Sequence, residues 1–386
     1  MLRMKTSEER QKNKMNRLPE RLQFPGAVDL HVHYREPSTN GSETIASGSL
    51  AGLVGGYVFT ADMSNNPGFP TWTQTAMLDK HRRAETSHIP IGYYSGSQPD
   101  HDNVAELPFM LPLSVGTKFY TAKTTGNSYD FTARDYRGIV EVLHFLDPNK
   151  PIMLHAGEDN LEEMIELVAR EFEHPLHVCH VNDPDDVRMI SSYKSVGLPL
   201  TSGVTMHHLV KNSQAVDTEG TFAQMQPPLV PQVDSEQLLY QLATGEIDVV
   251  ESDHAPHRYE DKVQAEQEHS TCYGVPGIEF SIPLLLRLAS VGKISINRII
   301  EVTSTKPAEI LGLNIHHNTV VTWNTTQYRI ENEATQIVSG AGWTPYLGML
   351  AGGSVVNVKI AGKQLMQNGE VIARYPRVIS ARGDTI

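Results

Sequence analysis

Two histidines one residue apart, His31 and His33, close the apolar run "AVDLHVH", and the charged pair Arg35-Glu36 follows closely. On a strand, alternate side chains share a face, so His31 and His33 project together while Leu30 and Val32 face away. Two neutral imidazoles held side by side suit a metal ion. Alone, an HxH pair is better explained by one packed and one solvated histidine than by a site, so a site needs ligands from elsewhere. Four further stretches offer them. "GTKFYTAKTTG" carries Lys118, "IMLHAGED" carries His155, "LHVCHVND" carries His177 and His180, and "VVESDHAPH" carries Asp253, His254 and His257. His31, His33, His155, His180 and Asp253 are five nitrogen and oxygen donors of the kind zinc prefers, enough for more than one ion.

The elements that must position these residues alternate regularly. Short apolar runs ("AVDLHVH", "YVFTADM", "IPIGYYS", "LSVGTKFY", "PIMLHAGE", "PLHVCHV", "LPLTSGV", "EIDVVESDHA") are separated by longer amphipathic or polar stretches. About eight strand–helix alternations predict a parallel sheet closed into a (β/α)8 barrel, which places its chemistry at the C-terminal ends of the strands. The ligand-type residues all fall at such ends. After Leu313 the pattern changes to short strands, with "QNGE" reading as a tight hairpin. The expected organisation is an N-terminal arm over 1–25, either separate or part of the β subdomain through a meagre strand at residues 18–25, a barrel over 26–312, and a small, truncated β subdomain with a C-terminal tail over 313–386.

A net charge of −13 argues against a nucleic-acid partner, whose phosphates would be repelled over most of the surface. The first 23 residues are the exception, with seven Lys/Arg against three Glu. They lack the apolar centre of a signal peptide and read as a solvated helix or frayed arm. No apolar run approaches the ~18 residues that would span a bilayer. Cys179 and Cys272 are the only cysteines and have no CxxC spacing, so a disulfide framework is excluded and a cytoplasmic location is expected.

Taken in order, HxHxREP, KFYxxxT, LHAxED, HVCHV and SDHAPH resemble the dihydroorotase branch of the cyclic amidohydrolases. "MSNNP", "VTMHHL", "YGVPGIE" and "GWTPYLGMLAGG" extend the resemblance to residues 24 to about 360. The resemblance implies a binuclear zinc centre in a homo-oligomer, most simply a dimer, acting on a small-molecule substrate. His31, His33 and Asp253 would bind one Zn2+, and His155 and His180 the other. Lys118 would bridge them as an N6-carboxylated lysine, since an ammonium cannot ligate a cation but a carbamate can. His177 would then either face away from the site or support its ligands from behind, the HxxH spacing leaving a one-residue ambiguity. The implied reaction is the reversible cyclisation of N-carbamoyl-L-aspartate to L-dihydroorotate and water, with Asp253 shuttling the proton. Arg35, two residues after His33 and so on the same face, would clamp the ring carboxylate through its planar guanidinium. Asn65 and His257 match the other carboxylate contacts. Thr124, with Thr125 and Gly126, would contact substrate from a loop, and Pro276 and Gly277 lie in the segment whose backbone meets the ring.

Three departures stand out. Many relatives carry roughly 50 residues of β structure before the HxH strand, where this chain has only about 30 residues, rich in charge. Gly203 stands where some relatives have a glutamate before "VxxHHL", so a third metal seen in some of them would lose a ligand. Lys123 replaces a more usual acid in the loop. Hydantoinases, dihydropyrimidinases and allantoinases share the barrel and metal set, but their substrates lack the carboxylate that Arg35 would bind. A non-catalytic, dihydroorotase-like partner of another enzyme is the remaining alternative, against which the intact ligands speak.

Overall fold

The computed structural model describes residues 18–37, 41–100, 103–122, 124, 130–157, 160–331 and 337–386. Eight of its strands pair in parallel and in chain order: β2 (Ala27–Val32), β3 (Tyr57–Asp62), β4 (Ile91–Gly96), β5 (Gly116–Tyr120), β6 (Ile152–His155), β7 (Leu176–Val178), β8 (Leu200–Thr205) and β9 (Val249–Glu251). Each coincides with one of the eight apolar runs. The ring closes through a parallel bridge between Val32 and His254, where the His33 amide donates to the His254 carbonyl at 2.8 Å. The strands are buried along most of their length, as they must be with side chains filling the interior on one face and helices covering the other.

The helices start where the sequence supplies caps. Thr44 caps Ile45–Val54 together with Ser47, Thr132 and Asp135 form a capping box on Ala133–Leu146, and Asp183 caps Pro184–Ser195. Glu36 helps the first of these, accepting the Ile45 amide at 2.7 Å and pairing with Arg83 at 3.4 Å. It is therefore not a partner of Arg35.

A second, antiparallel sheet joins both ends of the chain. β1 (Arg21–Pro25) pairs along its whole length with β10 (Val320–Asn324), and β13 (Ser354–Ile360), β14 (Lys363–Gln367) and β15 (Glu370–Val371) follow. Residues 21–25 are thus a full strand, not the helix or frayed arm expected over the first 23 residues, because Leu22 and Phe24 meet Trp323 and Val321 across the pair. Phe24 stacks on Trp323 with ring centroids 5.8 Å apart. A minor pair, β11 (Tyr328–Arg329) and β12 (Leu350–Ala351), lies beside the sheet sequence. The "QNGE" hairpin joins β14 and β15 with Asn368 and Gly369 both at positive φ, as a two-residue turn requires.

Trp323 locks this sheet to the barrel. Its fully buried ring lies over Gly56, just before β3, where φ is +89° and any Cβ would overlap the indole. Truncating such a side chain costs about 3–5 kcal/mol. Among the described residues no helix is long and apolar enough to cross a membrane.

Candidate metal centre and active site

Strand geometry brings the HxH pair together as its spacing demands. The Nε2 atoms of His31 and His33 are 3.2 Å apart, and Asp253 Oδ1 lies 3.3 Å from the first and 3.2 Å from the second. Three donor atoms converge from the two strands that close the barrel, β2 and β9. Burial pushes the imidazoles down, His31 to about 3 and His33 to about 4, so both are neutral at pH 7. Burial alone would raise the Asp253 carboxyl, but His31 and His33 beside it hold it well below the usual carboxylate range. The cluster at neutral pH is two neutral imidazoles and one carboxylate, the protonation state that a bound cation requires.

Opposite them stand His155, at the end of β6, and His180, just after β7. His155 Nδ1 lies 2.9 Å from His180 Nε2, and the His180 ring centroid is 5.2 Å from that of His31. Burial and the Lys118 charge push His155 down to about 3, and burial with the neighbouring His155 holds His180 well below the usual imidazole range. His177 Nδ1 lies 2.9 Å from Thr201 Oγ1, and its buried Nε2 borders the space beside Gly203 and Glu251, whereas His180 is the one of the pair that meets His155. Lys118 on β5 is fully buried; its Nζ contacts Cys179 Sγ at 3.1 Å and lies 5.3 Å from the Tyr120 ring centroid. Among the described residues no carboxylate comes within ion-pair distance of this ammonium.

Arg35 enters the same cavity by a different route from the one its spacing suggests. β2 ends at Val32, and Arg35 sits at φ +55° beyond it, so strand alternation does not orient it. Asp62 does: its Oδ1 accepts the Tyr34 amide at 2.9 Å while Lys80 Nζ pairs with its Oδ2 at 2.6 Å. Arg35 as a whole is 6% exposed, and its buried Nη1 has no hydrogen-bond partner among the described residues. Arg35, Asn65, Tyr120, Thr124, Gln226, Tyr273 and Gly274 line the space above His31, His33, His155, His180 and Asp253. His257 is set back, its Nε2 2.8 Å from the Tyr273 carbonyl, and burial and the Arg35 charge push it to about 3. Pro276 and Gly277 do not line the space. Gly277 packs against the Ser252 carbonyl, and Tyr273 and Gly274 take the wall position expected of them. Lys123, Thr125, Gly126 and Asp159 lie outside the described residues.

The space itself is narrow, about 30 Å3, and adjoins a cavity of about 590 Å3 lined by Thr121, Phe131 and Asn160. His180 and Gln226 border both.

Residues 22–317 match the Amidohydrolase family over most of the chain. The chain belongs to that family. Among named relatives, the multifunctional protein CAD of Squalus acanthias is 30% identical over 355 residues, covering 91% of this chain. The chain spans 15% of that protein and 15% of the multifunctional protein pyr1-3 of Dictyostelium discoideum. The dihydroorotase of Lactiplantibacillus plantarum is 27% identical, with 88% of this chain and 85% of the relative covered. In three dimensions the amidohydrolase fold superimposes on the L-hydantoinase of Arthrobacter aurescens, with a TM-score of 0.83 at 22% identity over 93% and 88% of the two chains. The inactive dihydroorotase-like domain of a Chaetomium thermophilum CAD-like protein gives 0.74 at 19% identity over 93% and 99%. At those identities the likeness speaks to fold.

Two buried carboxylates of this amidohydrolase escaped the sequence reading. Glu251, at the end of β9, lies under the centre: Oε2 is 2.8 Å from His31 Nδ1, and Oε1 accepts the His180 amide. It also fills the place beside Gly203 where a relative's glutamate was expected to be missing, so a carboxylate is present there after all. His31, Cys179 and Glu251 bring donor atoms within 4.8 Å of one another. Burial pushes Cys179 up to about 12, so it is a thiol unless a cation displaces the proton. Glu43 is the second. It accepts from Ser339 Oγ at 2.6 Å and the Gly340 amide at 2.8 Å, and lies 3.1 Å from His254 Nε2. His254 Nδ1 in turn accepts the Gly277 amide at 3.3 Å. A short "SET" triplet gives no sign of this role; the acceptor bond at Nδ1 would have been needed to see it.

Proposed function

We propose that this chain is a dihydroorotase, interconverting L-dihydroorotate plus water with N-carbamoyl-L-aspartate. The observation that carries the reading is the buried Arg35 guanidinium, with Nη1 unpartnered among the described residues, on the wall of the same space as the His/Asp cluster. A buried donor of this kind is costly to leave unmade, and a substrate carboxylate satisfies it with a charge-assisted bond. Relatives named dihydroorotase at 26–28% identity add support.

In hydrolysis, the oxygen of water bonds to the ring carbonyl carbon and the ring C–N bond breaks. Asp253, ionised at neutral pH, takes the proton from the attacking water and delivers it to the departing ring nitrogen. Ring closure reverses each transfer. Arg35 holds the substrate's other carboxylate throughout, with Asn65 beside it, and Thr124 closes the wall. The narrowness of the space means that the ring also draws on the adjoining cavity past Gln226.

His31, His33 and Asp253, whose donor atoms converge, would hold one zinc ion, and His155 and His180 would hold another, with Lys118, N6-carboxylated, as the ligand shared between them. When bound, such a centre acidifies a water and polarises the scissile carbonyl. Support for the carbamate is the fully buried Lys118 with a thiol and an aromatic ring as its described neighbours. We place the enzyme in the cytoplasm, where its two free cysteines would stay reduced and where no spanning helix is needed, none being long and apolar enough among the described residues, and we take it to act as a homodimer. The deciding experiment is turnover of dihydroorotate, hydantoin, allantoin and dihydrouracil by zinc-loaded protein. A preference for dihydroorotate is expected. A preference for a ring without a carboxylate overturns the substrate assignment, and inactivity on all four with zinc bound supports the non-catalytic alternative.

A further inference from the structure

Glu251 and Gly203 lie on adjacent paired strands, two residues apart in register and so on the same face: Gly203 is opposite Val249, and Thr205 opposite Glu251. A Cβ on Gly203 would overlap Glu251 Oε1 and come within 2.8 Å of Glu251 Cδ and 3.0 Å of His177 Nε2. The interior therefore holds one carboxylate at this level, and a side chain at position 203 is excluded because the one from position 251 is already there.

That carboxylate touches both halves of the centre. Through Oε2 it meets His31 Nδ1 at 2.8 Å; through Oε1 it accepts the amide of His180, whose backbone is left-handed at φ +37°. An imidazole whose Nδ1–H donates to a carboxylate keeps its lone pair on Nε2. On His31 that atom is the one facing His33 Nε2 and Asp253 Oδ1. We propose that Glu251 is a positioning residue of the metal centre: it fixes the His31 tautomer and the His180 backbone together, and Gly203 is the space it needs. This rests on the reading that His31 and His180 ligate zinc. It assigns Glu251 no contact with the substrate.

The test is zinc affinity and stoichiometry, by competition with a chromophoric chelator, on the full chain. Glu251→Gln keeps the volume and removes the charge; Glu251→Ala removes both. Each is expected to bind the same number of zinc ions as the parent at 10- to 100-fold weaker affinity, the usual effect of losing a ligand's outer partner. The double variant Gly203→Glu/Glu251→Ala moves the carboxylate to the facing strand and is expected to regain at least tenfold over Glu251→Ala. Parental affinity in Glu251→Gln overturns the proposal. So does a double variant that binds no better than Glu251→Ala, since the two positions would then not share one space. A stoichiometry lower by one ion in Glu251→Gln, with the remaining ions at parental affinity, also overturns it by making Glu251 a ligand. Failure of the parent to turn over dihydroorotate would sink the proposed activity and leave these zinc measurements untouched.

Discussion

Replacing Arg35 by methionine removes a buried charge while keeping much of the side chain's length and apolar volume. At about 4 Å, near a surface with an effective dielectric of about 20, a guanidinium and a carboxylate attract by roughly 4 kcal/mol. Truncating one partner of such a buried pair typically costs about 2–5 kcal/mol. Converted at 1.36 kcal/mol per tenfold, that is a fall in kcat/KM for dihydroorotate of about 30- to 5,000-fold. The free protein should not suffer in proportion. Burial lowers the affinity of Arg35 for its proton, and Nη1 has no described partner, so the charge is a burden on the empty fold. Melting temperature and zinc content of Arg35→Met are therefore expected to match or exceed those of the parent. Steady-state hydrolysis is to be measured on dihydroorotate and on dihydrouracil, which lacks the carboxylate. The reasoning is refuted if dihydroorotate turnover is unchanged, or if both substrates lose by the same factor.

Lys118→Ala should lose zinc and activity together, and short carboxylic acids should restore part of the activity by filling the vacated space; a variant with parental zinc and rate would end the bridging assignment. Asp253→Asn keeps an oxygen donor but cannot carry a proton, so hydrolysis and ring closure should both fall by at least about 100-fold, the usual contribution of a positioned base, with some zinc retained; a near-parental rate in either direction would shift the proton to another group. Metal-free protein should lose stability as pH falls from 7 to 5. His31 and His155 are lowered to about 3, and His33, His177 and His208 to about 4. The unfolded chain takes up protons near 6.5 that the fold refuses, so stabilisation is full above 6.5 and declines below it, by about 2 kcal/mol per imidazole over this interval. Asp29 and Glu279, raised to about 7 by burial, act with the opposite sign but are fewer. Thermal melts at pH 5 and 7 decide the matter, and equal stability at both would count against neutral imidazoles.

The cluster of candidate donors was legible because the chemistry of a cation site restricts residue type and a barrel restricts place. Five donors at the ends of strands allow little else. Residues beyond the strand ends are less legible. Arg35 reaches the cavity through a left-handed turn rather than by strand alternation. The wall expected from Pro276 and Gly277 is supplied by Tyr273 and Gly274, because a loop carries no periodicity from which to read its facing. The N-terminal strand was underrated: Arg21–Pro25 looks charged and short, and only its partner Val320–Asn324, some 300 residues away, gives Phe24 a ring to stack on. Glu251 was hidden for the same reason. Nothing local marks a glutamate before "SDHAPH" as interior, and its only counterpart in the sequence is the lack of a side chain at Gly203.

Three residues at the centre of the chemistry hold a backbone that non-glycine residues seldom adopt: Arg35 at φ +55°, His180 at +37° and Asp253 at +41°. Each such conformation costs on the order of 1–3 kcal/mol and persists only where the surroundings over-determine it. Beside each stands a buried carboxylate. Asp62, neutralised by Lys80, holds the amide preceding Arg35. Glu251 holds the amide of His180 itself. Asp253 is fixed from both sides, by Asp29 accepting the Ser252 amide at 3.2 Å and by Glu43 on His254. Backbone amides in this barrel are therefore tied by acids that do not ligate metal in the proposed centre, and the functional side chains inherit their direction from those ties. A ligand motif names which atoms meet a cation, but the direction from which they meet it is set by Asp29, Glu43, Asp62 and Glu251, none of which the motif contains.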